Sequence, residues 1–317
     1  MNETRETSAT AVPLDEIARQ FTVSVARTIN SSLDAVFYDL GALTSEEQSA
    51  LSAYSNPEGS VIIVHPGESK QRIDCFMPWK FVEQQRDASG CQVDALVVAG
   101  VGSSALGTAA LARNVADYLR RPVAGVVSGF GMSDLLSEAL GGWFVLGAKN
   151  ALRDGLARLF DLYGVKDHVR DERSHVEMKQ HFESSAIDTD RFVYGSPDSA
   201  TLLYVLSKLG NGIKLVVGHS KGNLSIENAL EGLLAANRKT GAPVPSHLCI
   251  VTLGAVTRFP SEFTNVHQFL GSIDYFGMMN SRPFLPREWA PYNWHSLNTA
   301  LPGHLTVHDA LQKAAVR

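Results

Sequence analysis

The segment Ile213-Lys-Leu-Val-Val-Gly218-His-Ser220-Lys-Gly222-Asn constrains this chain more than any other. A β-branched apolar run leads into Gly-x-Ser-x-Gly, and a helical pattern with Ile226, Leu230, Leu233 and Leu234 on one face follows directly. A serine between strand and helix sits on a sharp turn. Gly218 and Gly222, two residues to either side, let the two elements approach without Cβ clashes, so the hydroxyl stands clear of the sheet. The Lys221 amide then lies in the first helical turn, where unbonded N–H groups and the positive end of the helix dipole can stabilise an oxyanion. Adjacent side chains on such a turn diverge, so Lys221 is expected to contribute its backbone rather than its amine.

The surrounding pattern is that of an α/β protein. Apolar runs at Val61 to Val64, Val93 to Ala99, Val123 to Val127, Ile213 to Val217, Leu248 to Leu253 and Val266 to Ile273 read as strands. Helical periods lie between several of them: Ala105 to Arg120, a helix opening at Ser196-Pro197-Asp198 and stopped by Gly210, and Lys221 to Asn237. Alternation of this kind predicts a mostly parallel central sheet flanked by helices. Ahead of it, Leu14 to Leu40 and Leu43 to Tyr54 carry helical spacing, and Thr44 with Glu47 matches a capping box, so residues 1–56 are expected to form an N-terminal helical extension. Residues 57–317 are expected to form the main domain, with an inserted cap or lid at about 131–195. There Gly131 to Leu162, with Trp143, Phe144 and Leu146, is apolar and helical, and Gly164 to Thr189 is polar without a clean period.

Composition excludes several classes. With 44% apolar and 19% charged residues over 317 positions, the chain can bury a sizeable core, and a formal charge of −5 argues against nucleic-acid binding. Cys75, Cys91 and Cys249 are too few and too scattered for a disulfide framework or a zinc site and are expected to be buried thiols in a reducing compartment. Residues 1–20 lack the apolar core of an export signal, and the most apolar stretch, Pro122 to Ala148, is broken by glycines and charges, so no integral membrane span and a cytoplasmic location are expected. His168, His175 and His181 lie on a charged segment that reads as a solvated face, so no metal is expected. No cofactor is expected either.

A nucleophilic serine needs a base and a carboxylate that orients the base. Asp274 ends the run that begins at Val266, where such a carboxylate belongs, and His295, His304 and His308 all lie downstream. Sequence spacing leaves these three open. A second oxyanion donor would come from the loop after an earlier strand, and Gly100-Val-Gly102-Ser103-Ser104 is one.

Taken together these pieces resemble the class 3, or fungal-type, lipases of the α/β-hydrolase superfamily. Gly102-Ser103 is similar to their Gly-Ser oxyanion loop, and Gly218-His-Ser220-Lys-Gly222 to their Gly-His-Ser-Leu-Gly elbow, with Lys221 in place of leucine. Ile250-Val-Thr-Leu-Gly254-Ala-Val-Thr-Arg258 resembles their strand ending in Gly-Ala-Pro-Arg, with Val256 in place of proline. Asp274, His295 and Pro302-Gly-His304-Leu305 follow in the order of their acid, linker and terminal Pro-x-His-Leu. The resemblance implies an α/β-hydrolase fold and hydrolysis of a small-molecule or lipid ester. It implies Ser220 as nucleophile, Asp274 as acid, His304 as base, Ser103 and Lys221 as oxyanion donors, and a structural His295. Homo-oligomerisation is left open.

Two other readings compete. Gly100-Val-Gly102-Ser-Ser-Ala-Leu-Gly107 after a strand matches a dinucleotide-binding fingerprint, but Val123 to Val127 runs into Ser128-Gly129 where an acidic residue is needed. A catalytically inactive hydrolase scaffold used for binding is the other.

Overall fold

A computed structural model describes residues 34–51, 58–69, 71–87, 92–100, 103–128, 197–241 and 243–317. Its centre is an eight-stranded sheet: β1 (Val61–Val64), β2 (Asp74–Phe76), β3 (Ala95–Val98), β4 (Val123–Val126), β5 (Leu215–His219), β6 (Cys249–Leu253), β7 (Val266–Gly271) and β8 (Glu288–Ala290). The spatial order is β2-β1-β4-β3-β5-β6-β7-β8, with β1 antiparallel to both its neighbours and every other pairing parallel. The expected mostly parallel, helix-flanked α/β architecture is therefore present.

The described helices are α1 (Ser45–Leu51), α2 (Pro78–Arg86), α3 (Ala105–Leu119), α4 (Pro197–Leu209), α5 (Gly222–Thr240), α6 (Tyr275–Met279) and α7 (Val307–Lys313). Each central strand is mostly apolar because both its faces are covered. Val97 and Val217 point into one core with α3 and α7, while Leu96, Val98 and Val216 point into the other with α4 and α5. The Thr44–Glu47 capping box forms reciprocally, the Thr44 amide donating to the Glu47 carboxylate at 2.8 Å and the Glu47 amide to Thr44 Oγ1 at 3.2 Å.

Several expectations change. Cys75 is exposed, since β2 is a three-residue edge strand with solvent on one side, and Cys249 is half-buried. The extended strand to Ile273 stops at Gly271, where the chain turns into α6. Strands β2 and β8 and helices α2, α6 and α7 are additional to the sequence reading. Most of the expected helix 14–40 and the cap or lid at 131–195, with His168, His175, His181 and Trp143, lie outside the described residues, as does Cys91. No helix among the described residues is long and apolar enough to cross a membrane.

Candidate active site

Parallel strands β3, β5, β6 and β7 bring their carboxyl ends to one edge of the sheet, and the loops there carry the candidate residues. Ser220 follows β5 directly. Its φ is +52°, in the left-handed region that a β-carbon disfavours, and the strain is held by hydrogen bonds on both sides of the residue. Its amide donates to Leu253 O of the neighbouring β6 at 2.9 Å, and its carbonyl accepts from Asn223 N at 3.1 Å. Asn223 fixes the same junction through its side chain, Nδ2 donating to Leu253 O and Ala255 O.

The two glycines have steric reasons. A β-carbon on Gly218 would lie 2.3 Å from Asn223 Oδ1, and one on Gly222 would lie 2.3 Å from Val98 O and 2.7 Å from Ala99 O. The helix therefore starts only because its first residue has no side chain to press against β3.

Asp274 and His295 meet Ser220 in a line. His295 Nε2 lies 2.9 Å from Ser220 Oγ, and His295 Nδ1 lies 3.0 and 2.9 Å from the two carboxylate oxygens of Asp274. The carboxylate accepts from Nδ1–H, which leaves the Nε2 lone pair facing the serine hydroxyl. All three side chains are buried, and Asp274 Oδ1 also accepts from the Gly277 amide at 2.6 Å, which holds the acid at the head of α6. The His295 ring is boxed by Phe37, edge-on with centroids 5.6 Å apart, and by Phe276 at 6.3 Å.

This geometry differs from the expected one, since His295 and not His304 lies against the serine. His304 donates from Nδ1 to Leu301 O at 2.8 Å, and its carbonyl accepts from Asn293 Nδ2. It belongs to a return loop that fastens the His295 segment through Trp294 N to Gly303 O at 2.8 Å and Leu305 N to Ser296 O at 2.7 Å. The anticipated roles of the two histidines are thus exchanged: His295 faces the serine and His304 closes the supporting loop. His308 is exposed on α7, 3.5 Å from Asp309.

Ser103 is buried after β3, its amide donating to Gly100 O at 3.2 Å and its hydroxyl to Ser104 O at 3.3 Å. Lys221 occupies the N-cap position of α5, and its carbonyl accepts from Leu224 N and Ser225 N. Next to Ser103, a carboxylate already occupies the start of α3. Asp34 Oδ2 accepts from Ser104 N at 3.1 Å and from Ser104 Oγ at 2.5 Å, and Ser104 Oγ in turn accepts from Leu106 N. The dinucleotide reading needs that helix start for a pyrophosphate, and a buried carboxylate there repels one.

Residues the sequence reading gave no role also line the site. Tyr38 and His219 hydrogen-bond to each other, and Phe37 covers the His295 ring. Tyr38 and Phe37 lie far from the elbow in the chain and carry no motif. His219 sits inside the elbow, between a strand and the serine, and that position was the available signal. Against known proteins, no family model, no curated protein and no solved structure matches this chain.

Proposed function

We propose that the protein is a serine hydrolase of carboxylic esters, built on an α/β-hydrolase-type scaffold and working through an acyl-enzyme on Ser220. The observation that carries the reading is the unbroken line of contacts from Ser220 Oγ to His295 Nε2 and from His295 Nδ1 to Asp274, at 2.9 to 3.0 Å, on a serine whose backbone is held at φ +52°. A strained turn, a buried imidazole of defined tautomer and a carboxylate behind it have no joint structural purpose, and together they supply what nucleophilic catalysis needs.

In the first step Ser220 Oγ attacks the ester carbonyl while His295 Nε2 takes its proton. The imidazolium that forms is stabilised by Asp274. The Lys221 amide at the start of α5 is the candidate for holding the oxyanion, since the Ser103 amide is bonded to Gly100 O, and one such donor is worth about 100-fold to 1000-fold in turnover. His295 then protonates the leaving alkoxide, and water activated by the same imidazole releases the acid. Phe276 is half-exposed beside the His295 ring and offers apolar surface to an acyl or alkoxy group, which favours an ester over a charged substrate.

The test is turnover of a short p-nitrophenyl ester combined with labelling by a fluorophosphonate probe. Wild-type protein is expected to take one label per chain, and Ser220→Ala to take none and lose turnover by about 10⁴-fold or more. Labelling of Ser220→Ala at the wild-type rate would remove Ser220 as the nucleophile. The inactive-scaffold alternative requires wild-type protein to take no label.

A further inference from the structure

Residues 34–39 lie ahead of the sheet in sequence, yet they touch both loops that flank Ser220. On one side, Asp34 holds Ser104 at the end of the β3 loop. On the other, successive groups of the segment fasten the loop that carries His295. Ala35 O accepts from Asn298 Nδ2 at 2.7 Å, Val36 O from Ser296 Oγ at 2.7 Å and Phe37 O from Leu297 N at 2.8 Å, and Thr299 Oγ1 donates to Asp39. The two loops are separated by about 190 residues of chain, and β8, which leads into the histidine loop, is a three-residue strand at the edge of the sheet among the described residues.

The middle of the segment makes a directed chain of hydrogen bonds. The Gly100 amide donates to Tyr38 Oη at 2.6 Å, Tyr38 Oη lies 2.9 Å from His219 Nδ1, and His219 Nε2 lies 3.0 Å from His295 O. A carbonyl can only accept, so His219 Nε2 carries the hydrogen. Burial, and secondarily the neighbouring His295, push the His219 ring well below the usual histidine range, so it is neutral and its Nδ1 is a lone pair. The Tyr38 hydroxyl must then donate to it while accepting from Gly100. Every group in the chain has one assignment.

Both ends of this chain abut reacting groups. A β-carbon on Gly100 would lie 3.0 Å from Ser220 Cβ, so this backbone packs directly against the nucleophile. At the other end the bonded carbonyl belongs to His295 itself, and the two imidazole rings lie 4.9 Å apart. We propose that residues 34–39 form a strap that sets the spacing between the β3 loop and His295 around Ser220, with Tyr38 and His219 as its positioning residues. Neither touches a reacting atom. Their effect is on distance, and a displacement of about 1 Å between nucleophile and base can cost on the order of 100-fold in rate.

The inference rests on Ser220 and His295 being the catalytic pair, so the experiment separates the two claims. Full-length wild type, Tyr38→Phe, His219→Gln and His219→Leu are compared for fluorophosphonate labelling rate and for kcat and KM on a short p-nitrophenyl ester, with urea midpoints recorded for each. Tyr38→Phe keeps the ring and is expected to lower kcat and labelling rate together by about 10-fold or more while KM stays within about twofold. His219→Gln can still donate an N–H to His295 O and is expected to retain most of the activity that His219→Leu loses. Tyr38→Phe and His219→Leu combined should cost little more than either alone, because both cut one chain. Wild-type labelling with equal rates in Tyr38→Phe, or equal loss in the Gln and Leu variants, overturns the strap and leaves the Ser220 reading standing. A wild type that takes no label overturns both.

Discussion

At the scale of single residues, the choice between two histidines is decided by reach. Strand β8 pairs in register with β7, Ala290 opposite Gly271, so the chain leaves both strands at the same level. Three residues beyond Gly271 comes Asp274, and five beyond Ala290 comes His295, which places the ring directly over the carboxylate. His304 lies nine residues further on, on the returning limb, where its own ring nitrogen bonds to Leu301 O. His295→Ala is therefore expected to lower ester turnover by about 10³-fold or more, whereas His304→Ala, which loosens a supporting loop, should stay within about tenfold of wild type. Parallel measurements of kcat on one p-nitrophenyl ester check this, and the opposite ranking would return the base to His304. Ser220 and Asp274 were readable from sequence because each follows closely on a strand, Ser220 directly after β5 and Asp274 three residues after β7, and a nearby strand end limits where a side chain can lie. Nothing equivalent marks which of two nearby histidines turns inward. That depends on Trp294 bonding to Gly303 and Leu305 to Ser296, contacts between loop residues that share no period, and the family pattern pointed to the histidine that bonds to Leu301 O rather than to the one beside Ser220.

Among elements, the β5–α5 junction shows how the sequence permits the site. The first residue of α5 packs on β3 main chain, with Val98 O and Ala99 O at 2.3 and 2.7 Å from where a β-carbon would stand, and strand carbonyls in the middle of a sheet cannot swing aside. Gly222→Ala is expected to destabilise the fold by about 2 kcal/mol or more, in the range of overpacked sites. Gly212→Ala is the control, since nothing lies within 4 Å of its β-carbon, and it should change stability by less than about 0.5 kcal/mol. Urea midpoints of the two variants test the contrast, and equal effects would mean that β3 yields. Elements of this inner kind were readable: β3, β4, β5 and β6 are mostly apolar because helices cover both faces. The missed elements are short or at the edge. Asp74–Phe76 and Glu288–Ala290 have three residues each, too few to display a period of two. Helix α2 announces itself only by Pro78 at its first position, since its inward face includes Gln85, which accepts from the Val93 amide rather than adding apolar surface.

Across the whole molecule, the strap places a carboxylate where the sheet, α3 and the loops around Ser220 converge, and this makes stability depend on pH. Asp34 is 1% exposed, and burial, partly offset by hydrogen bonds from Ser104, raises its pKa from 3.8 to about 6. An acid whose folded pKa is raised is more readily ionised when unfolded, so its contribution is most favourable below pH 3.8 and is lost as pH climbs from there to about 6. The full swing is a little over two pK units, or about 3 kcal/mol at neutral pH. Asparagine at this position keeps an oxygen for the Ser104 amide and cannot ionise, so it isolates that cost. The stability of Asp34→Asn relative to wild type should therefore be greatest at about pH 7.5 and shrink by about 1 kcal/mol by about pH 5, where folded Asp34 is mostly protonated and the unfolded chain's is not. Urea unfolding of both proteins at the two pH values measures this difference directly. If the gap between them did not change with pH, Asp34 would titrate in the folded protein as it does in the unfolded chain, and the carboxylate under the β3 loop would have to be better solvated than its 1% exposure states.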